Sequence, residues 1–133
     1  MPIHAHIILY VADQETSTKF YENVLAMRPT LHVPGMTEFR LNNGAVLGLM
    51  PVEGIRKLLG DKLPDPAKAA GIPRSEVYLL VDDPVRYHKR ALSHGATELS
   101  ALSPRNWGHE AAYSSDPDGH VLAFAKEIKG TDR

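Results

Sequence analysis

The sequence predicts an α+β fold built from two tandem βαβββ modules. The first observation is a repeat, because residues 6–13 and 76–83 both run through apolar, β-rich positions to a valine and reach an aspartate two positions later. In both copies, apolar residues at helical spacing follow that aspartate. Both copies then reach a turn rich in Asn, Asp and Gly before a second apolar run. A duplicated unit of one strand, one helix and further strands accounts for all of these features.

Module one is predicted to cover residues 1–50. Its first strand is expected at residues 3–11, and Asp13 is placed to cap the helix that follows. That helix should end near Met27, because Pro29 disfavours helical geometry in the residue before it. Three short antiparallel strands complete the module, and they are expected at residues 31–33, 37–41 and 45–50.

Residues 51–74 are rich in proline and glycine and are predicted to be a connector with room for one helical turn. We favour a linker over a flap that covers a cavity.

Module two is predicted to cover residues 75–128. It opens with a strand at 76–81, followed by a helix with Asp83 as cap, Pro84 at its first position and Gly95 at its end. The remaining features are expected as strands at 97–100, 111–114 and 120–125, a long loop at 103–109, a tight turn at 116–119 and a frayed end at 126–133.

Composition excludes several classes of function. The chain of 133 residues can bury a core without disulfides, and it has no cysteine, which excludes thiolate chemistry, zinc–thiolate sites and iron–sulfur clusters. A formal net charge of −1 gives no electrostatic reason to expect nucleic acid as a partner. The apolar runs are too short to span a bilayer and no signal-like segment begins the chain, so we expect a cytoplasmic protein with no membrane partner.

Three motifs resemble the vicinal oxygen chelate superfamily, which includes glyoxalase I, extradiol dioxygenases, fosfomycin-resistance enzymes and the bleomycin-binding proteins. The motifs are His6-x-x-x-x-Val11-x-Asp13, Phe20-Tyr21-x-x-Val24-Leu25-x-Met27 and Asp116-Pro117-Asp118-Gly119-His120. The resemblance covers about residues 4–127. It implies a glyoxalase-like fold, in which the sheets of the two modules curl around one cavity, and a homodimer in which modules are paired within a chain or across chains.

The resemblance also implies where a metal would bind. Metal-dependent members place one ligand on the first strand and one on the last strand of each module. The matching first-strand positions are His6 and Glu76, which can bind a metal, whereas the last-strand positions are Gly48 and Ala123, which cannot. A catalytic divalent ion usually has three protein ligands. We therefore expect no cofactor, with His6 and Glu76 as a structural or substrate-anchoring pair rather than a catalytic one.

The leading hypothesis is a small-molecule-binding protein of the glyoxalase/bleomycin resistance type, with an organic ligand in an apolar cavity and no full metal site. Trp107, the single tryptophan, lies in a segment that also contains Arg105 and His109, where it can stack on a planar ligand or anchor the loop to the core. The predicted ligand contacts are His6, Tyr10, Met50, Glu76, Tyr78 and Trp107.

The alternative is an enzyme. A lyase or isomerase similar to lactoylglutathione lyase would hold a divalent metal through His6 and Glu76 together with a further ligand. That ligand would come from His4, from Glu110 or from the partner chain.

Overall fold

The computed structural model describes residues 1–128. Within that range the chain forms eight strands and three α-helices, grouped into two compact units, of which the first is Met1–Ala70 and the second begins at Gly71. Each unit contains one four-stranded mixed sheet, so the predicted α+β fold of two βαβββ units is confirmed. None of the helices described is long and apolar enough to cross a membrane.

The first unit begins with five elements: β1 (Ala5–Val11), α1 (Gln14–Leu25), β2 (Leu31–Val33), β3 (Met36–Asn42) and β4 (Ala45–Pro51). The strand order in its sheet is β1-β4-β3-β2. Strand β1 is parallel to β4, and the other two pairings are antiparallel. A parallel pair needs a crossover connection, which here runs through α1, β2 and β3.

Helix α1 covers one face of this sheet. Thr18 of α1 hydrogen bonds to Thr37 of β3 at 3.0 Å, which marks the covered face. Strand pairing places Leu49 beside Thr37 and Leu47 beside Phe39 on the same face, and all four side chains are fully buried. We call the opposite face the first open face. It carries the alternate residues, among them His6, Ile8, Tyr10, Glu38, Gly48 and Met50.

The ends of α1 are fixed by local hydrogen bonds. The Asp13 side chain accepts a hydrogen bond from the backbone N–H of Thr16 at 3.1 Å and another from the Thr16 hydroxyl, as expected for a cap. These bonds hold the pKa of the Asp13 carboxyl below its ordinary value. The helix ends at Leu25 rather than near Met27, because Ala26 adopts a left-handed conformation with φ 54° and its N–H bonds back to Glu22.

The segment after β4 contains more helix than the sequence predicted. Helix α2 (Val52–Leu59) follows β4 directly, and two 3₁₀ helices follow it at Gly60–Lys62 and Pro66–Ala69. Pro51 serves as the N-cap of α2, so this proline flanks the helix instead of interrupting it. Two of the prolines that indicated a linker, Pro51 and Pro66, therefore mark the starts of helices.

The second unit repeats the topology of the first. Its elements are β5 (Glu76–Leu80), α3 (Pro84–Ser93), β6 (Thr97–Pro104), β7 (His109–Ser115) and β8 (Val121–Glu127). The strand order is β5-β8-β7-β6, with β5 parallel to β8. The predicted signals of α3 are confirmed: Asp83 accepts from the N–H of Arg86 at 3.1 Å, Pro84 is the first helical residue, and Gly95 after the helix has φ 112°.

The prediction of a long loop at residues 103–109 is wrong. Strand β6 continues to Pro104 and β7 starts at His109, so the connection is limited to residues 105–108. The pairing of β6 with β7 shifts register on both sides of Ser100, and such bulges break the period-two alternation by which a strand is recognised in sequence. Strand β8 likewise includes residues 126 and 127, which were expected to be frayed, and residues 129–133 lie outside the described part of the chain.

Candidate functional site

The second unit also has one sheet face that its helix leaves open. Phe124 of β8 packs on Tyr87 of α3 with ring centroids 5.2 Å apart, which marks the covered face. The alternate residues of β8, Ala123 and Ala125, therefore lie on the other face, beside Tyr78 of β5. We call this the second open face. The residues on it that concern the site are Glu76, Tyr78, Leu80, His109, Tyr113, Ala123 and Ala125.

A hydrogen-bonded chain of three aromatic residues lies on the second open face. The Tyr78 hydroxyl is 2.6 Å from His109 Nδ1, and the two rings are stacked with centroids 5.7 Å apart. The indole N–H of Trp107 donates to the Tyr78 oxygen at 3.0 Å. An indole N–H can only donate. The Tyr78 hydroxyl can therefore donate its own proton to His109 Nδ1. The two hydrogen bonds then run in one direction, from Trp107 to Tyr78 to His109.

This arrangement fixes Trp107 and leaves its ring accessible. Trp107 is 44% exposed, whereas His109 is only 4% exposed. Leu80, one pleat along β5 from Tyr78 on the same face, is 55% exposed. Ala123 and Ala125, on the same face of β8, are fully buried. The accessible surface on this face therefore combines the ring of Trp107, which a hydrogen bond holds in place, with the aliphatic Leu80 and the exposed carboxylate of Glu76.

Arg105, the first residue of the connection between β6 and β7, packs on Tyr113 of β7. The guanidinium carbon of Arg105 is 5.1 Å from the centroid of the Tyr113 ring. Its Nη2 donates to Ser100 Oγ and to the carbonyl oxygen of Ala111, both at 2.8 Å. Arg105 thus ties β6 to β7. Burial raises the pKa of the Tyr113 phenol above its ordinary value; the charges of Glu76 and Tyr78 add to this effect and Arg105 opposes it.

The raised pKa of Tyr113 predicts a loss of stability in alkali. Its neutral form is favoured in the folded state, so its contribution is complete below the ordinary tyrosine pKa of roughly 10 and is lost as pH rises through the higher folded value. We expect the free energy of unfolding, measured by urea titration, to fall over that range. In Tyr113→Phe, the part of this decrease with pH that Tyr113 causes should disappear. In Glu76→Gln, the decrease should be smaller. An unchanged slope in Tyr113→Phe would contradict the assignment.

The first open face carries a different polar pair. His6 Nδ1 lies 3.5 Å from Glu38 Oε2, and the pairing places Glu38 beside Gly48. Tyr10 and Met50 pair with each other further along the same face. Glu38 was not predicted as a site residue. It could have been found from the two-residue period of β3, because Thr37 and Phe39 on either side of it are buried and Glu38 therefore faces the first open face.

The residues present do not form a three-ligand metal site. Among residues 1–128 no group of three or more His, Cys, Asp and Glu side chains is close enough to hold a metal ion. His6 and Glu38 supply two donors. A Cβ added at Gly48 would lie 3.1 Å from Ile8 Cγ1, so a ligand side chain there would require Ile8 to shift by a few tenths of an ångström. We therefore derive no chemical step through a metal.

The predicted site residues divide between the two units. His6, Tyr10 and Met50 lie on the first open face, and Glu76, Tyr78 and Trp107 belong to the second unit. The pairing of His6 with Glu76 across the units stays a prediction. Of the two proposed extra ligands, His4 precedes β1, and Glu110 alternates with His109 and Ala111 and so faces away from the second open face.

Two surface depressions lie outside both open faces. One of about 380 Å³ is lined by residues of α3, and one of about 640 Å³ is lined by α2 and the 3₁₀ helices after it. Both mix cationic and anionic side chains, and Arg56 in the larger one pairs with Asp65 at 3.5 Å. Neither is lined by Phe, Tyr or Trp. They have the character of solvated charged surface rather than of an organic ligand site.

Comparison with known proteins agrees with this architecture. Residues 3–124 match the model of the Glyoxalase/Bleomycin resistance protein/Dioxygenase superfamily, and the chain belongs to that superfamily. It is 27% identical over 127 residues to an uncharacterised protein of Mycobacterium bovis, an alignment that covers 91% of this chain and 81% of that protein. An uncharacterised protein of Mycobacterium tuberculosis is also 27% identical over 127 residues, with 91% and 72% covered.

Solved structures extend the likeness to the fold. A glyoxalase-related enzyme from Fulvimarina pelagi has a TM-score of 0.78 and 23% identity, covering 92% of this chain and 86% of that one. A glyoxalase/bleomycin resistance protein/dioxygenase from Nocardioides has a TM-score of 0.71 and 21% identity, covering 99% and 87%. At these identities the likeness shows the fold and leaves the activity to be argued from the site.

Proposed function

We propose that this chain is a small-molecule-binding protein of the glyoxalase/bleomycin resistance type, with a planar organic ligand bound on the second open face. The observation that carries the proposal is Trp107, a residue that is 44% exposed while its indole N–H donates to Tyr78. A ring that is fixed before binding loses little conformational freedom when a ligand stacks on it. An exposed aromatic side chain of this kind favours a flat partner, and the exposed Leu80 on the same face of the sheet adds apolar surface.

The polar groups on this face favour an organic ligand with a few hydrogen-bonding edges. Tyr78 is hydrogen-bonded to both Trp107 and His109, and Glu76 lies at the start of the same strand as Tyr78. Binding sites for organic molecules are mostly apolar, with a small number of polar groups that fix orientation. His6, Tyr10 and Met50, the predicted ligand contacts on the first open face, stay a prediction. A homodimer, the absence of a metal cofactor and a cytoplasmic location belong to the proposal.

The test uses the single tryptophan as reporter. A panel of neutral and charged planar aromatic compounds is titrated while Trp107 fluorescence is followed, and calorimetry gives the dissociation constants. Trp107→Ala should weaken binding about tenfold, because the stacking contact and its apolar area are lost. The control is Leu58→Ala, which removes an apolar side chain that is 70% exposed on α2 and should leave binding unchanged.

Two results would contradict the proposal. Equal affinity of Trp107→Ala and the unmutated protein would remove Trp107 from the site. The second result is that the protein retains about one divalent ion per chain after incubation with nickel, zinc, manganese or iron(II). The ion would also have to raise the thermal midpoint and be required for binding of the aromatic compound. That outcome would favour the alternative lyase or isomerase.

A further inference from the structure

The turn between β3 and β4 contains an asparagine that is followed by a glycine. The chain has four asparagines, at positions 23, 42, 43 and 106, and only Asn43 precedes a glycine, Gly44. Both residues are exposed. Asparagine is among the thermolabile residues, and its side-chain amide is attacked most readily when the next residue is glycine, because glycine has no Cβ to crowd its nitrogen. The turn therefore contains the components of a deamidation site.

The reaction converts Asn43 to an acid in two steps. In the first step, the Gly44 nitrogen attacks Cγ of Asn43, so that a C–N bond forms, the Cγ–Nδ2 bond breaks and ammonia leaves with the proton of the Gly44 nitrogen. In the second step, water opens the resulting five-membered imide at one of its two carbonyl carbons. One product is aspartate with the normal backbone. The other is isoaspartate, in which the backbone runs through the side chain and is longer by one methylene group.

A side-chain hydrogen bond holds the nitrogen that would attack. The Gly44 N–H donates to Oδ1 of Asn42 at 2.9 Å. The nitrogen becomes a nucleophile only after it loses this proton, and the bond keeps the proton in place and directs the N–H toward Asn42. An asparagine side chain often accepts the N–H two residues further on in a turn. Here that common contact opposes the reaction of the neighbouring Asn43.

Gly44 also anchors the start of β1. Its carbonyl oxygen accepts the N–H of Ala5 at 2.8 Å. The parallel pairing of β1 with β4 begins with Ala5 beside Ala45, and His6 beside Val46 follows. An extra methylene group in the turn moves Gly44 relative to the end of β3, which weakens its bond to Ala5. A change in the turn is thus transmitted to the edge strand that carries His6.

We propose that Asn43 is a site of spontaneous deamidation, that Asn42 slows the reaction, and that the isoaspartate product releases the start of β1. The inference does not depend on the ligand proposed for the second open face, because the turn and β1 both belong to the first unit. A carboxylate is compatible with a turn of this kind, since the last turn of the second unit has Asp118 before Gly119.

The experiment follows the full chain during incubation in mildly alkaline buffer, and peptide mapping by mass spectrometry gives the fraction of each asparagine that has become an acid. Asn43 should convert at least about tenfold faster than Asn106, which is also exposed but precedes a tryptophan. Gly44→Ala should slow the conversion about tenfold or more, because the added Cβ crowds the nitrogen. The fold accommodates this variant, since beyond its chain neighbours the Cβ would meet only Asn42 Oδ1, at 3.9 Å.

Two further measurements test the role of Asn42 and the effect on β1. In Asn42→Ala, Asn43 should convert about fivefold faster, the factor that one ordinary hydrogen bond represents. The isoaspartate form is separated by ion exchange, and the Ala5 N–H should exchange with solvent faster in it than in the fresh protein. Freshly prepared Asn43→Asp is the matched control, because it has the added charge with a normal backbone and should keep the protection of Ala5.

Each part of the inference has its own contradicting result. Conversion of Asn43 no faster than that of Asn106 would overturn the modification site. Unchanged or slower conversion in Asn42→Ala would overturn the protective role of Asn42. Equal exchange of the Ala5 N–H in the isoaspartate form and in Asn43→Asp would overturn the effect on β1.

Discussion

Gly119→Ala should lower the free energy of unfolding by at least about 3 kcal/mol. Gly119 closes the Asp-Pro-Asp-Gly turn with φ 90°, and a Cβ at this position would lie 2.6 Å from the carbonyl oxygen of Gly71 and 2.9 Å from its Cα. The neighbour is backbone, so it cannot move aside as a flexible side chain would. Both the strained conformation and the clash therefore act against the variant. Urea denaturation followed by circular dichroism measures the loss.

The control for this prediction is Gly95→Ala. Gly95 also has a positive φ, 112°, but an added Cβ there would meet nothing within 4 Å. It should therefore lose about 1 to 2 kcal/mol from backbone strain alone. Equal losses in the two variants would show that the approach of Gly71 to Gly119 does not contribute.

Thr37→Val should lower the free energy of unfolding by about 2 kcal/mol or more. The Thr37 hydroxyl is fully buried and has three partners, Gln14 Nε2 at 2.9 Å, Thr18 Oγ1 at 3.0 Å and His32 Nδ1 at 2.8 Å. Valine fills the same volume without a hydroxyl, so all three partners lose a bond inside the fold. The loss is measured by urea denaturation near neutral pH.

Thr37→Ser is the matched control, because serine keeps the hydroxyl and removes only a methyl group. It should cost about 1 kcal/mol. If Thr37→Ser proved as destabilising as Thr37→Val, packing rather than the hydrogen bonds would explain the role of this residue.

The buried network around Thr37 also connects α1 to the outer hairpin of its sheet. His32 of β2 bonds to Glu15 of α1 at 2.9 Å. The second unit has a corresponding pair with the residue types exchanged, since His88 lies on α3 and Glu98 on β6, also at 2.9 Å. Both units therefore have a His–Glu bond between the helix and the outer strand, but the histidine is on the strand in the first unit and on the helix in the second. A comparison of the two copies by residue type alone does not find this shared bond.

The Gly119 turn also positions the candidate site. The Asp116 side chain accepts the N–H groups of Asp118 and His120, both at 2.9 Å, which fixes the register between β7 and β8. That register places Tyr113 beside Ala123, and Ala123 beside Tyr78. A motif first noted as a family resemblance thus has a direct geometric role in bringing the two tyrosines to one face.

The elements with local signals could be predicted from the amino-acid sequence alone. Asp13 and Asp83 cap their helices because a short acidic side chain reaches the N–H groups of the first turn, and Gly95 follows its helix because glycine accepts a positive φ. The repeat of these local signals was enough to predict two βαβββ units. The position of Tyr78 and Glu76 on one face followed from the two-residue period of a strand.

The contacts between side chains on different strands could not be predicted from the sequence. Trp107 donates to Tyr78 over 29 positions of sequence, and the His109 partner of Tyr78 lies 31 positions away. His6 meets Glu38 because β1 and β3 both flank β4. Such contacts depend on strand order and register, and the bulges in β6 shift that register without a mark in the sequence. Local propensity fixes the elements, whereas pairing across the sheet fixes the site.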